Sequence, residues 1–427
     1  MNKKLIAVAV AGMFAAPAAF AQTTVTITGK LIGSAGQYSI GGRAAGSFGA
    51  SNEAILRDES SRIIFLLRED LGGGMAAIGK FDLRPSITDT GAMGNTGESY
   101  VGLDSKSWGT IALGRFDFHY GNHASYTGTH AGLLTNPTAL FDVAAAGGAA
   151  IANQTRTNNA IRYGSPKFGD MFEVVVGYSS NPTAASNAPA AVANPIPASG
   201  TLTVSPTFNT QNESDLRSTV RRGNAWNIAP KIWGKNWEAG YSYWRARPDL
   251  ALNTGVNTIT GAAVVPTSVV QHRGDSLYGT YVWGGFRVGL AWNKSRINTT
   301  ALAGATNATL TSGTTTTTSN RTVWGIPLAY NWGNHTIYGD FYRAGADKAA
   351  AFAGLNTKAN FVGVTYAYDL SKRTSAAVSY SRIRNGTNAS YNLFAVATPG
   401  GALNTNLQGV AAGEDPRYIA VTLQHRF

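Results

Sequence analysis

His119, His123 and His130 lie in one stretch, the first two four residues apart, a spacing that serves a zinc ion when it falls on a helix. The chain has no cysteine and few acids accompany these histidines, so they read as polar loop residues, and no metal or cofactor is expected. Protonated below about pH 6.5, they would add positive charge. Gly74-Met75-Ala76-Ala77-Ile78-Gly79-Lys80 imitates a phosphate-binding loop, but Phe81 stands where a hydroxyl is needed for Mg²⁺. Met75, Ala77, Gly79, Phe81 and Leu83 alternate as a strand instead. No G-x-S-x-G is present and no Ser/His/acid grouping stands out, so no enzyme is expected. The remaining chemistry is charge, and its use depends on which way each charged side chain points.

That direction follows from dyad alternation. Val25, Ile27, Gly29 and Leu31 share one face, Thr26, Thr28 and Lys30 the other. Ile63, Phe65 and Leu67 alternate with Arg62 and Arg68, and Phe81 and Leu83 with Lys80, Asp82 and Arg84. Ile161 and Tyr163 flank Arg162. Trp324, Ile326, Leu328, Tyr330 and Trp332 form another such face, as do Ile419, Val421, Leu423, His425 and Phe427. Period two over about ten residues is a strand signature.

Short and long connections separate these strands in turn. Short turns are read at 70–74, 105–109, 167–170, 234–236, 284–285, 333–334 and 369–373, where Gly, Asn and Asp supply the turn conformations. Long loops are read at roughly 41–56, 86–96, 118–155, 181–223, 247–273, 298–320, 346–358 and 385–415. The low-complexity runs Thr314 to Thr318 and Pro182 to Ala198 are read as exposed loops. Eight long loops interleaved with seven short turns require 16 strands, the pattern of an all-β, antiparallel transmembrane barrel with short periplasmic turns and long extracellular loops. Closure pairs every backbone group in hydrocarbon, and about 16 strands leave a channel. Aromatics near strand ends (Trp226, Trp237, Trp283, Trp332, Tyr366, Tyr368, Phe427) fit interfacial girdles. A soluble β-sandwich or propeller is the competing architecture, but it would have polar outer faces and no need of alternating loop lengths.

Composition agrees. In 427 residues charged side chains make up 14%, against roughly 25% in a soluble domain, while Gly, at 50 residues, is well above its usual share. The first 21 residues carry Lys3 and Lys4, an apolar run from Leu5 to Phe14 and Ala19-Phe20-Ala21 before Gln22, the layout of a cleaved export signal. The mature chain, 22–427, then has 33 basic and 23 acidic residues, a formal +10. It has no disulfide framework and no apolar run long enough for a membrane-spanning helix. The export signal and the scatter of the charge argue against nucleic acid.

Arg68-Glu69-Asp70-Leu71-Gly72-Gly73-Gly74 resembles the second hairpin turn of Gram-negative porins of the beta-proteobacterial and neisserial type. Tyr100-Val101-Gly102-Leu103 with Gly109-Thr110-Ile111-Ala112-Leu113-Gly114-Arg115 is similar to that family's fourth and fifth strands, and 158–168 to its sixth. Tyr368-Asp369-Leu370-Ser371-Lys372-Arg373-Thr374 and the terminal His425-Arg426-Phe427 resemble its closing turn and last strand. The resemblance implies an outer-membrane homotrimer of pores for small hydrophilic solutes and ions, set among outer-membrane lipids and lipopolysaccharide. It implies that the loop 118–155 folds into the lumen, and that the aromatic C-terminus at Phe427 is the signal read by the barrel-assembly machinery.

A pore selects by width and by the charges at its constriction. Alternation and resemblance together nominate Lys30, Arg62, Lys80, Arg84 and Arg162 for the lumen wall, and Arg115 joins them from the mouth of the lumen-folding loop, with Asp117 and Asp142 opposite on the loop. The excess of cations predicts anion preference; if several of these groups lie outside the constriction, selectivity is weak. Gly97-Glu98 replaces a basic residue frequent in the family ahead of the fourth strand, and the enterobacterial Pro-Glu-Phe-Gly loop signature is absent. A channel dedicated to one sugar or organic anion, with a row of aromatics along the lumen, is the alternative. A barrel enzyme is a more distant one.

Overall fold

Alternating apolar and polar residues, rich in β-branched and aromatic side chains, build strands almost throughout. The computed structural model describes residues 23–42, 52–59, 61–88, 97–118, 156–180, 224–247, 268–301, 315–393 and 410–427. The strands are β1 (Thr23–Gly41), β2 (Asn52–Asp58), β3 (Arg62–Gly72), β4 (Met75–Leu83), β5 (Ser99–Ser105), β6 (Gly109–Asp117), β7 (Arg156–Gly164), β8 (Phe172–Ser179) and β9 (Asn224–Trp233). There follow β10 (Trp237–Arg247), β11 (Ser268–Trp283), β12 (Phe286–Ala301), β13 (Thr315–Trp332), β14 (His335–Ala344), β15 (Ala359–Asp369), β16 (Thr374–Asn385) and β17 (Asp415–Arg426). The one helical element among the described residues is a 3₁₀ turn at Ala350–Phe352.

Each strand pairs antiparallel with its neighbours, and β17 pairs with β1 to close the barrel. Both β2 and β3 pair with β1, so they fill one place and the wall has 16 strands. All seven short turns fall where the sequence places them. Three loop readings are corrected: β2 begins at Asn52, within the expected loop 41–56, β11 begins at Ser268, within 247–273, and the threonine run belongs to β13, with Thr315, Thr316 and Thr317 paired to Thr300, Thr299 and Asn298. Threonine is β-branched, and its strand propensity outweighs the low complexity of the run. The expected export signal and, beyond Phe118, the expected lumen-folding loop with Asp142 and the three loop histidines lie outside the described residues.

The two faces differ as a bilayer demands. On β17, Ile419, Val421 and Leu423 are exposed on the outer face while Tyr418, Ala420 and Thr422 are buried on the inner one. Near the short turns the outer face is aromatic: Trp283, Phe286, Tyr330 and Trp332 run on with ring centroids 6.1, 4.3 and 5.4 Å apart, and His335 follows at 5.2 Å. Amphipathic rings at this level suit a membrane interface. Inside, Tyr38, Tyr342, Phe361, Ile383 and Tyr418 pack with Leu393, from the connection after β16, into an apolar cluster. Arg321 donates to the Tyr391 hydroxyl and lies over its ring beside this cluster.

Two details set the position of the charged wall. Between Asp58, paired with Gly33, and Arg62, paired with Lys30, three residues face the two residues Leu31 and Ile32. This extra residue reverses the parity of the strand, turning Arg62 inward although Arg57, an odd number of residues earlier, is also inward. The ladder survives because Glu59 N–H donates to the Ile32 carbonyl (2.9 Å) and Ile32 N–H donates to Ser61 Oγ (3.0 Å). At the closing seam, Gly29 and Phe427 exchange both backbone hydrogen bonds (3.1 and 3.2 Å). A Cβ on Gly29 would come within 2.3 Å of the Arg62 carbonyl oxygen and 2.7 Å of Phe427 Cζ. Gly29→Ala should therefore destabilise the folded barrel by about 1–3 kcal/mol, the usual cost of overpacking. The midpoint of its heat-induced shift in gel mobility would fall below that of the wild type.

Candidate functional site

The inner face of the wall from β17 through β1 and β3 to β7 carries five of the charged side chains singled out in the sequence. Register places Arg426, Lys30 and Arg62 side by side across three neighbouring strands. On the next strand Asp82 receives both Nε and Nη2 of Arg84, each at 2.8 Å, and lies 3.9 Å from Arg62 Nη1. The carboxylate is thus held by one bidentate pair and a second, longer ionic contact. Gly97 makes this possible: its N–H donates to the Asp82 carbonyl, and a Cβ there would lie 2.2 Å from Asp82 Cγ. Of Gly97-Glu98, the pair that departs from the resemblance, Gly97 is thus the residue that admits the Asp82 side chain.

A second carboxylate, Glu98, joins the remaining cations. Lys80 Nζ donates to Glu98 Oε2 at 2.7 Å, Arg162 Nη1 to Oε1 at 3.2 Å, and the Asp117 backbone N–H to Oε1 at 3.1 Å. The Arg162 guanidinium lies 4.3 Å from the Phe116 ring centroid and 5.2 Å from that of Tyr100, and the two rings stack 5.3 Å apart. Cation–π contact fixes the guanidinium without neutralising it. Among the described residues the site therefore contains six basic side chains and two carboxylates, a formal excess of four positive charges. Each carboxylate lies between two cations, which blunts local repulsion and leaves a positive field over the wall.

Five nominated cations, Lys30, Arg62, Lys80, Arg84 and Arg162, share this face. Arg115 does not join them. Its neighbours Gly114 and Phe116 face inward, its register partner is Ser99, and it donates to Asn158 Oδ1 at 2.5 Å. The ladder slips between Gly114 and Phe116, opposite Asn158 and Asn159, and Asn159 has a positive φ of 49°. Alternation turns Arg115 to the outer side of the wall at this bulge. Asp117 contributes its backbone N–H to the site, and its register partner is Arg156. The carboxylates that meet the cations are Asp82 and Glu98, on the wall itself. Glu98 shares its parity with Tyr100 and Gly102, opposite Val101 and Leu103, and that pattern was available in the sequence. Arg426 was available in the same way, opposite Leu423 and Phe427.

A family model described as Gram-negative porin matches residues 7–388. Comparison with curated proteins finds no match. Among solved structures, an anion-selective porin from Comamonas acidovorans superposes with a TM-score of 0.66 at 19% identity, covering 95% of this chain and 100% of that one. OmpT of Vibrio cholerae, as a loop L8 deletion mutant, gives 0.57 at 11% identity over 95% and 99% of the two chains. OmpF of Salmonella typhi, in a complex with daunomycin, gives 0.56 at 10% over 94% and 97%. Across such low identities these likenesses concern the fold, a closed 16-stranded antiparallel barrel. The family match extends over most of the sequence: the chain belongs to the Gram-negative porins, channel proteins of the outer membrane.

Proposed function

We propose that the channel is a water-filled pore for passive diffusion of small hydrophilic solutes, that it prefers anions, and that it works as a homotrimer. One observation carries the preference: six cations gathered around two carboxylates at this site among the described residues, while the Arg68–Asp104 and Arg57–Glu59 pairs on the same face add no net charge. An anion entering a narrow, partly desolvated passage gains from that field while a cation loses. The neighbouring structure described as an anion-selective porin points the same way. Residues 1–21 act as the export signal in this reading. The loop 118–155 enters the lumen and brings Asp142 toward the wall, and Phe427 serves assembly. The trimer contact would use the outer face of β1 and β3–β6, which is largely aliphatic (Val25, Ile27, Val101, Leu103, Ile111, Leu113) and stands apart from the aromatic belt of β11–β15.

The channel dedicated to one solute gains less support. An aromatic row exists, from Tyr100 through Phe116 and Phe118 to Trp244, with successive centroids 5.3, 5.8 and 6.2 Å apart. Phe116, Phe118 and Trp244 are buried, so most of the row packs the wall and offers no sliding surface. The deciding experiment is the zero-current potential of the purified protein in a planar bilayer under a KCl gradient. Step-like conductance with a potential of anion sign is expected. A cation sign would reject the preference, and conductance too small for an open pore would favour the dedicated channel.

A further inference from the structure

Arg321, near the start of β13, is a cation of the inner face that the charged wall does not use. Val323 points inward with it while Trp324 points out, and Arg321 itself is only 4% exposed. Its guanidinium donates to the Tyr391 hydroxyl and lies 5.0 Å from the centroid of that ring, and its Nη2 is buried without a hydrogen-bond partner. The partner is a neutral phenol, so the charge is kept from water without being cancelled, a costly arrangement that depends on what covers it. Tyr391 belongs to the connection after β16, where one side chain grips its backbone from both sides. Asn385 Oδ1 accepts from the Tyr391 N–H (3.1 Å), and Asn385 Nδ2 donates to the carbonyls of Tyr391 (2.9 Å) and Glu414 (2.6 Å). The next two residues reach other parts of the wall. Tyr38, on β1, donates to Asn392 Oδ1 at 3.0 Å, and Leu393 is fully buried in the inner apolar cluster.

Three consecutive residues thus touch β13 on one side and β1 on the other. Around the barrel these strands are five steps apart, through β14, β15, β16 and β17. At about 4.8 Å per step that is roughly 24 Å of wall. Three residues extend over at most about 11 Å, so the segment crosses inside the barrel, and the Arg321 and Tyr38 side chains reach in to meet it. Both lie toward the strand ends that lead into long connections, the extracellular side of such a barrel. The charged strands β4–β7 stand outside the arc that is filled in this way. We propose that Tyr391, Asn392 and Leu393 partition the extracellular half of the lumen and leave the passage to the charged wall. Tyr391 sets selectivity by covering Arg321 and withholding that charge from passing ions. This rests on the reading of the channel as an open, anion-preferring pore.

The test reads single-channel conductance and zero-current potential of the full-length protein in planar bilayers under a KCl gradient. Tyr391→Ala should raise the conductance and, by uncovering Arg321, raise the chloride-to-potassium permeability ratio about twofold, the order of one unit charge several ångströms away in screened water. Arg321→Gln should leave both readings at wild-type values, because the charge it removes is covered. The double variant Arg321→Gln, Tyr391→Ala should keep the raised conductance and lose the shift in ratio. Tyr391→Phe keeps the ring over the guanidinium and should match the wild type. A ratio shifted by Arg321→Gln at unchanged conductance would place the charge in the passage already and overturn the covering; that variant leaves the connection itself untouched. Unchanged conductance in folded Tyr391→Ala, or an equal shift in ratio with and without Arg321, would overturn the proposal too. The sign of the wild-type potential tests the anion preference, whereas the differences among these variants test the partition whichever sign is found.

Discussion

Arg62→Glu should lower the chloride-to-potassium permeability ratio by at least about fivefold while leaving assembly intact. Arg62 lies in register with Lys30, which lies in register with Arg426, and its guanidinium is 3.9 Å from Asp82. Charge reversal replaces the end of a cationic row by a second anion beside Asp82. At about 6 Å a unit charge acts on a passing ion with roughly 0.7 kcal/mol even at the dielectric constant of water. Reversal doubles that change, to about 1.4 kcal/mol or one factor of ten, before screening over a Debye length of about 10 Å at 0.1 M salt reduces it. Cations and anions respond in opposite senses, so their ratio moves further than either permeability. Arg62 is part-exposed to the lumen, and its replacement leaves the backbone ladder of β3 in place. The zero-current potential in a KCl gradient reads the effect. Arg115→Glu is the matched control, since its side chain turns to the outer side of the wall and its reversal should leave the potential unchanged. Equal shifts in the two variants would mean a diffuse effect of net charge and would remove Arg62 from any constriction.

That contrast also shows where the sequence was legible. The parity of Lys80 and Arg84 could be read because Phe81 and Leu83 are apolar and their strand is regular; the register agrees, pairing Phe81 with Phe65 and Leu83 with Ile63. Arg62 was legible from Ile63, Phe65 and Leu67 alone, although the extra residue at 59–61 that turns it inward left no periodic signal. Arg115 was misplaced although its own strand was legible: Ile111 and Leu113 face outward, and Arg115 keeps their parity because the extra residue at Asn158-Asn159 lies on the neighbouring strand. Opposing carboxylates were expected on the loop, yet Asp82 already stood on the inward face in the same reading. The inner apolar cluster escaped notice because its strands are apolar on both faces: Tyr342 points in and Phe341 points out, and alternation does not distinguish them.

Glu98→Gln should move selectivity the other way, raising the anion preference about two- to threefold. Glu98 accepts from Lys80, Arg162 and the Asp117 amide, so the substitution removes the carboxylate that stands between Lys80 and Arg162. Gln can still accept at one oxygen, and the neighbouring cations are part-exposed, so the loss of stability should be only about 1 kcal/mol. Arg162 is also held over Phe116 and Tyr100, which keeps its charge near the wall when the carboxylate is gone. A charge effect and a rearrangement of Arg162 are separable by the double variant Lys80→Gln, Glu98→Gln, which restores the wild-type formal charge. If charge alone sets selectivity, its zero-current potential returns close to that of the wild type. If Arg162 swings into the passage once Glu98 is lost, the double variant keeps the altered potential and its single-channel conductance falls. An unchanged potential in Glu98→Gln itself would show that the pair on Glu98 lies off the path of the ions, and that the Arg426–Lys30–Arg62 row sets the preference without it.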